Sequence, residues 1–172
     1  MGSRIAMRKF IFSFLIFSSF ISRAQTPAKF EFFLSERTGR IPSTYSSTDD
    51  LYMRDMVVDP PQKITIKLTQ QERDEILKKI MAINFFHYPD IYKFESADST
   101  IQATLTQPCT NFNITVFLND SSKYVAWNNC HTGVPSKNNM YEQLEELRQL
   151  IDNFLLSKDS YKKSKTPRAM HF

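Results

Sequence analysis

Both cysteines of this chain bracket one alternating segment, and that arrangement constrains the fold more than any other feature of the sequence. The segment reads CTNFNITVFLNDSSKYVAWNNC, from Cys109 to Cys130. Phe112, Ile114, Val116 and Leu118 alternate with Asn113, Thr115 and Phe117, the period of a strand with one buried face. Asn119 to Ser122 is a reversing turn, and Lys123 to Asn129 is the return strand. Pairing Leu118 with Lys123 sets Val116 against Val125 and Ile114 against Trp127, all on one side of a hairpin. In that register Cys130 faces Asn111. The two cysteines then share a face and sit diagonally, within reach of a bridge after a slight shift of the strand ends.

Whether such a pair closes depends on the compartment. The chain begins MGSRIAMRKFIFSFLIFSSFISRAQT. Arg4, Arg8 and Lys9 precede an uncharged apolar run from Phe10 to Ile21, and Ser22-Arg23-Ala24 supplies small residues for cleavage after Ala24. This pattern predicts a signal peptide over 1–24, and a start at Met7 gives the same signal in shorter form. The apolar run falls short of the roughly 20 residues that span a bilayer; an uncleaved anchor is the alternative. An exported chain meets oxidising conditions, so a Cys109–Cys130 disulfide is expected, with a loop-closure contribution of about 3 kcal/mol. A redox pair normally reads C-x-x-C. A zinc set of Cys109, Cys130, His87 and His131 has no finger-like spacing. No metal or cofactor is expected.

The leader also dominates the charge. The whole chain carries 22 Lys and Arg against 18 Asp and Glu, but four of the basic residues lie in 1–24, leaving 18 of each sign. A nucleic-acid partner argued from net charge therefore falls away. The remaining charge is uneven. Lys158, Lys162, Lys163, Lys165 and Arg168 oppose only Asp159, so a basic flexible tail is expected over 158–172, following a single domain over 25–157. No later segment is apolar and long enough for a membrane span.

Within the domain, Phe30, Phe32 and Leu34 mark one face of a first strand, with Phe33 on the other. RTGRIPSTYSSTDD reads as a loop, and LYMRDMVVD as a strand broken by Pro60 and Pro61. KITIKL alternates, with Ile64, Ile66 and Leu68 on one face. Thr69 and Glu72 form a capping box for a helix carrying Ile76, Leu77, Ile80 and Ile83 and ending near Asn84. An aromatic-rich connection leads to a short strand over Ile101–Thr106. After the hairpin, Asn139 and Glu142 cap a second helix with Met140, Leu144, Leu147, Ile151 and Phe154 on its apolar stripe. The order predicts an α+β fold: an antiparallel sheet of five or six strands with two helices packed on one face.

Catalytic signatures are scarce. Outside the leader only Gly39 and Gly133 are glycine, which removes phosphate-cradling loops and dinucleotide fingerprints. There is no nucleophile elbow and no H-E-x-x-H. A scattered hydrolytic site must draw on His87, His131 or the tail residue His171, or on the carboxylates Asp49, Asp50 and Asp55, and all of these are more simply turn, strand or structural residues. Asn113 and Asn119 begin glycosylation acceptor triplets. Tyr45, Tyr52, Tyr88, Tyr92 and Phe94 either fill the core or line a recognition surface.

The turn GRIPSTY, with Gly39, Pro42 and Tyr45, followed by strands and the helix LTQQERDEILKKIMAINFF, is similar to a group of small exported bacterial proteins of unknown function. Ile41 stands where some members have cysteine. The resemblance spans roughly residues 30–155 and implies an exported domain; the group has no established activity, so no catalytic residue is carried over. The resulting expectation is a secreted or periplasmic, non-enzymatic binding or structural module with a protein or glycan partner. It uses the sheet face away from the helices and the loop Gly39–Asp50. The alternatives are an exported hydrolase and a small inhibitor of a secreted enzyme.

Overall fold

A computed structural model describes residues 29–39, 41–97, 109–131 and 134–167 of the chain. Strands β1 (Phe30–Arg37), β2 (Ser43–Ser46), β3 (Leu51–Met56), β4 (Asp59–Thr65), β5 (Asn111–Leu118) and β6 (Ser121–Asn128) form one sheet in the order β4-β3-β2-β1-β5-β6. Every neighbouring pair of these strands is antiparallel. Helices α1 (Gln70–Ala82) and α2 (Met140–Ser157) cover one face, so the fold is α+β as the element order predicts. The expected leader over 1–24, the strand over Ile101–Thr106 and His171 lie outside the described residues.

Side-chain alternation makes the sheet two-sided. Cross-strand pairing puts Ile64, Tyr52, Tyr45, Leu34, Ile114 and Val125 in one row across all six strands. Phe32 and Val116 pair beside that row, as do Phe112 and Trp127. These side chains meet Ile76 and Ile80 of α1 and Leu144, Leu147 and Ile151 of α2, all fully buried. Fully burying an aliphatic or aromatic side chain contributes about 1.5–3 kcal/mol, so this layer is the main stabilising element. Tyr45 keeps its hydroxyl satisfied there by donating to the Ile66 carbonyl at 3.2 Å. The capping box forms as expected: Glu72 N donates to Thr69 Oγ1 at 3.2 Å, and Thr69 N to Glu72 Oε2 at 2.7 Å. Asn84, in the left-handed region at φ 58°, follows the helix end and leads into a 3-10 turn over Phe85–His87.

Several expectations are corrected. The hairpin turns on two residues, Asn119 (φ 52°) and Asp120, so Leu118 faces Ser121 rather than Lys123. Ile114 then faces Val125, and Phe112 faces Trp127. A two-residue turn favours a left-handed first position, which Asn adopts readily. The shift is two residues, which preserves parity, so the same side chains stay buried. It also brings Cys109 opposite Cys130, with Cα atoms 4.8 Å apart in a disulfide. Asn129 N donates to Thr110 O at 3.1 Å, making 110/129 a hydrogen-bonded pair. The cysteines therefore occupy the next, non-hydrogen-bonded position, where Cα atoms approach most closely.

The segment RTGRIPSTYSSTDD is not all loop: Ser43–Ser46 is β2, and Tyr45 is its buried anchor. Pro60 and Pro61 do not break the sheet but follow Asp59 at the start of β4, an edge strand on which a missing N–H can face outward. Asn139 makes no side-chain cap, because it sits at φ 48°; Asn138 Oδ1 instead accepts from Met140 N at 3.2 Å, and Glu142 accepts from Ser136 N at 2.8 Å. Leu155, rather than Phe154, completes the fully buried stripe of α2.

The basic segment is also tied down over its first part. Asp159–Lys162 forms a short helix, α3, whose Tyr161 ring meets Tyr52 edge-on at 5.6 Å. Arg54 lies over the Tyr161 ring at 4.7 Å and donates to Ser164 Oγ and Lys165 O, each at 3.1 Å. Lys158 bridges to Glu72 at 2.6 Å.

Candidate binding face

Among the described residues, the groups nominated for hydrolysis sit in separate local settings. His131 stacks flat on Phe94, centroids 4.3 Å apart at 10°, and its buried Nδ1 has no hydrogen-bond partner among the described residues. Phe94 in turn meets Tyr141 edge-on, so this ring cluster is packing under α2. His87 is exposed, beside a hollow of about 490 Å³ between the end of α1 and the β5–β6 turn. Asp49 accepts from Ser46 Oγ at 2.7 Å, and Asp50 holds a left-handed turn position at φ 50°. Asp55 accepts from Val57 N at 2.9 Å in the next turn. Asp50 immediately precedes β3 and Asp55 is its penultimate residue, about 16 Å apart at roughly 3.3 Å per residue. No group of three His, Cys, Asp or Glu side chains suited to a metal occurs among the described residues.

The nominated aromatics are core. Tyr45, Tyr88 and Tyr92 are buried, and Tyr52 packs under Tyr161. Burial pushes the Tyr52 hydroxyl up to about 12, and the Tyr88 hydroxyl likewise. Tyr88 donates to Gln143 Oε1, pinning the segment after α1 to α2.

One polar cluster lies within the helix-covered side. Arg148 of α2 reaches Asp152 at 2.5 Å and Glu145 at 3.1 Å and lies over the Phe112 ring at 4.7 Å. Trp127 Nε1 donates to Glu145 Oε1 at 2.7 Å. Glu36 of β1 shares this environment: burial, then the charge of Asp152, pushes its carboxyl up, and Arg148 offsets this only in part. Burial likewise raises Asp152 against the pull of Arg148. The cluster joins α2 to the sheet electrostatically.

The other sheet face is uncovered by helices. Cross-strand pairing arranges it in rows: Thr65, Leu51, Ser46, Phe33, Thr115 and Tyr124 in one, and Lys63, Met53, Thr44, Ser35, Asn113 and Ala126 in the next. A third row is Arg37, Asn111 and Asn128. Phe33, Phe117 and Tyr124 stand 37%, 44% and 44% exposed on this face. Ile91, 66% exposed, joins it because residues 90–92 add a short parallel bridge to the edge of β6. Tyr92 N donates to Ala126 O at 2.8 Å, and Ala126 N to Asp90 O at 2.9 Å.

The outward position of Phe33 and Phe117 is legible in the alternation of their strands. Tyr124 is legible once the register is known. Ile91 is not, because nothing in the aromatic-rich connection signals pairing with β6. Among the described residues, no helix is long and apolar enough to cross a membrane. A scan against protein-family models finds no match to this chain, and a search of curated proteins finds none similar to it.

Proposed function

We propose that this protein is a secreted or periplasmic, non-enzymatic binding module whose open sheet face is the contact surface. The observation that carries this reading is the display of Phe33, Phe117, Tyr124 and Ile91 on the face the helices leave bare. Exposed aromatics set among Asn, Thr and Ser are the composition of a recognition surface, since rigid rings supply contact area at low entropic loss. The Cys109–Cys130 bridge at the end of the β5–β6 hairpin supports export, because such bonds persist in oxidising compartments. His131 packs against Phe94, and Asp49, Asp50 and Asp55 hold turn and strand positions, so the described residues lend the hydrolase alternative no geometric support.

Retention of the source organism's surface and secreted macromolecules on immobilised protein tests the reading. A Phe33→Asp/Phe117→Asp variant, shown to be folded by circular dichroism, is compared with wild type and with Val58→Ser, which alters an exposed turn residue. Loss of retention in the double variant alone supports the proposal. Equal retention by all three proteins refutes it.

A further inference from the structure

Part of the open face is concave. A hollow of about 360 Å³ lies over β1, β5 and β6, with Pro42 and Ile91 among its lining residues. Asn111 and Asn113 of β5, Asn128 of β6 and the Tyr124 ring also line it. The size is that of a small-ligand site. The side-chain amides of Asn111 and Asn113 make no hydrogen bond among the described residues, while Asn128 uses Oδ1 to accept from Cys130 N and keeps its amide N–H groups for another partner. Among the described residues no carboxylate lines the hollow, and the one cation there, Arg37, already has a partner within the protein.

We infer that this hollow binds one or two sugar units of a neutral glycan. The chemistry matches term by term. An amide offers two donors and an acceptor in one plane, which suits adjacent sugar hydroxyls that each donate and accept. A pyranose presents one face of C–H groups, and a half-exposed Tyr124 ring beside the amides is a platform for it. The described lining offers no carboxylate to a cationic ligand, and Arg37 is already engaged within the protein. The floor is rigid: Asn111 and Asn128 are a cross-strand pair, and the disulfide lies two residues beyond each. The site thus needs little ordering on binding.

This inference rests on the open-face reading and narrows it to a ligand class. The probes are short linear cello-, xylo-, malto- and chito-oligosaccharides, titrated at millimolar concentration into ¹⁵N-labelled protein. Saturable shifts of the Asn111, Asn113 and Tyr124 amides are expected with at least one probe. Asn113→Ala and Tyr124→Ala are each expected to weaken that binding by about tenfold, with Val58→Ser unchanged. A panel that leaves those amides unmoved overturns the glycan assignment. If retention of native macromolecules still depends on Phe33 and Phe117, the glycan assignment falls alone. If it does not, both fall.

Discussion

Replacing Cys109 and Cys130 together by Ala removes the single covalent staple from a hairpin whose register is already fixed by its two-residue turn. The closed loop spans a sequence separation of 21. Releasing it restores unfolded-chain entropy equivalent to about 3 kcal/mol. For a domain of this size, that lowers Tm by roughly 10 °C. The native hairpin should survive, because eight residue pairs from Asn111/Asn128 to Leu118/Ser121 hold it independently of the bridge. Urea unfolding read by the single tryptophan, Trp127, measures both parts. Trp127 is buried, with its indole N–H on Glu145, so its emission is expected to be blue-shifted and unchanged in the folded variant. The midpoint should fall with little change in slope. A loss under about 1 kcal/mol would refute the loop-entropy reasoning, and a red-shifted native spectrum would refute the claim that the ladder, not the bridge, sets the register.

Glu36 and Asp152 have carboxyls raised above their ordinary values by burial, so they stabilise the fold below the unfolded carboxyl range and lose that contribution as pH rises through their folded values. Glu36→Gln should therefore be more stable than wild type at pH 7 and show little difference at pH 4, as read from paired thermal melts. Glu72 behaves oppositely: burial raises its carboxyl, but hydrogen bonds from Lys158 and Thr69 outweigh it, so its contribution is present at neutral pH and lost on acidification. Thr69→Ala should cost about 1 kcal/mol by loss of the cap, measured by chemical denaturation. Val57, β-branched yet held at φ 64° in an exposed turn, should accept Gly with a gain of about 1 kcal/mol, and a loss of stability would contradict that strain. Ile114→Ala, at the centre of the cross-sheet row, should lose about 2–5 kcal/mol.

Elements with strong local signals were readable from the residues. The T-x-x-E box, the 3.6-residue stripe of α1 and the alternation of β1 and β5 each need only near neighbours in sequence. The two-residue slip of the β5–β6 register arose because Asn-Asp-Ser-Ser supports turns of more than one length, and parity alone cannot separate them. Pro60 and Pro61 suggested a break because their tolerance depends on β4 being an edge, a fact of sheet order rather than of sequence. Tyr45 was hidden in a polar stretch whose strand is fixed by β1 and β3 on either side. The Asn138 cap beside an unused Asn139 reflects backbone sign, which residue type alone does not give. The candidate hollow depends on residues 42, 91, 111, 113, 124 and 128 meeting across four segments, and Ile91 has no local signature at all.

Recognition is assigned to the bare side of the sheet. Amide chemical-shift mapping of ¹⁵N-labelled protein against the native material it retains tests this most directly. Perturbations are expected to concentrate at Phe33, Asn113, Phe117 and Tyr124. Perturbations confined to the outer surfaces of α1 and α2, or to the hollow beside Met81 and His87, with those four amides unmoved, would contradict that assignment.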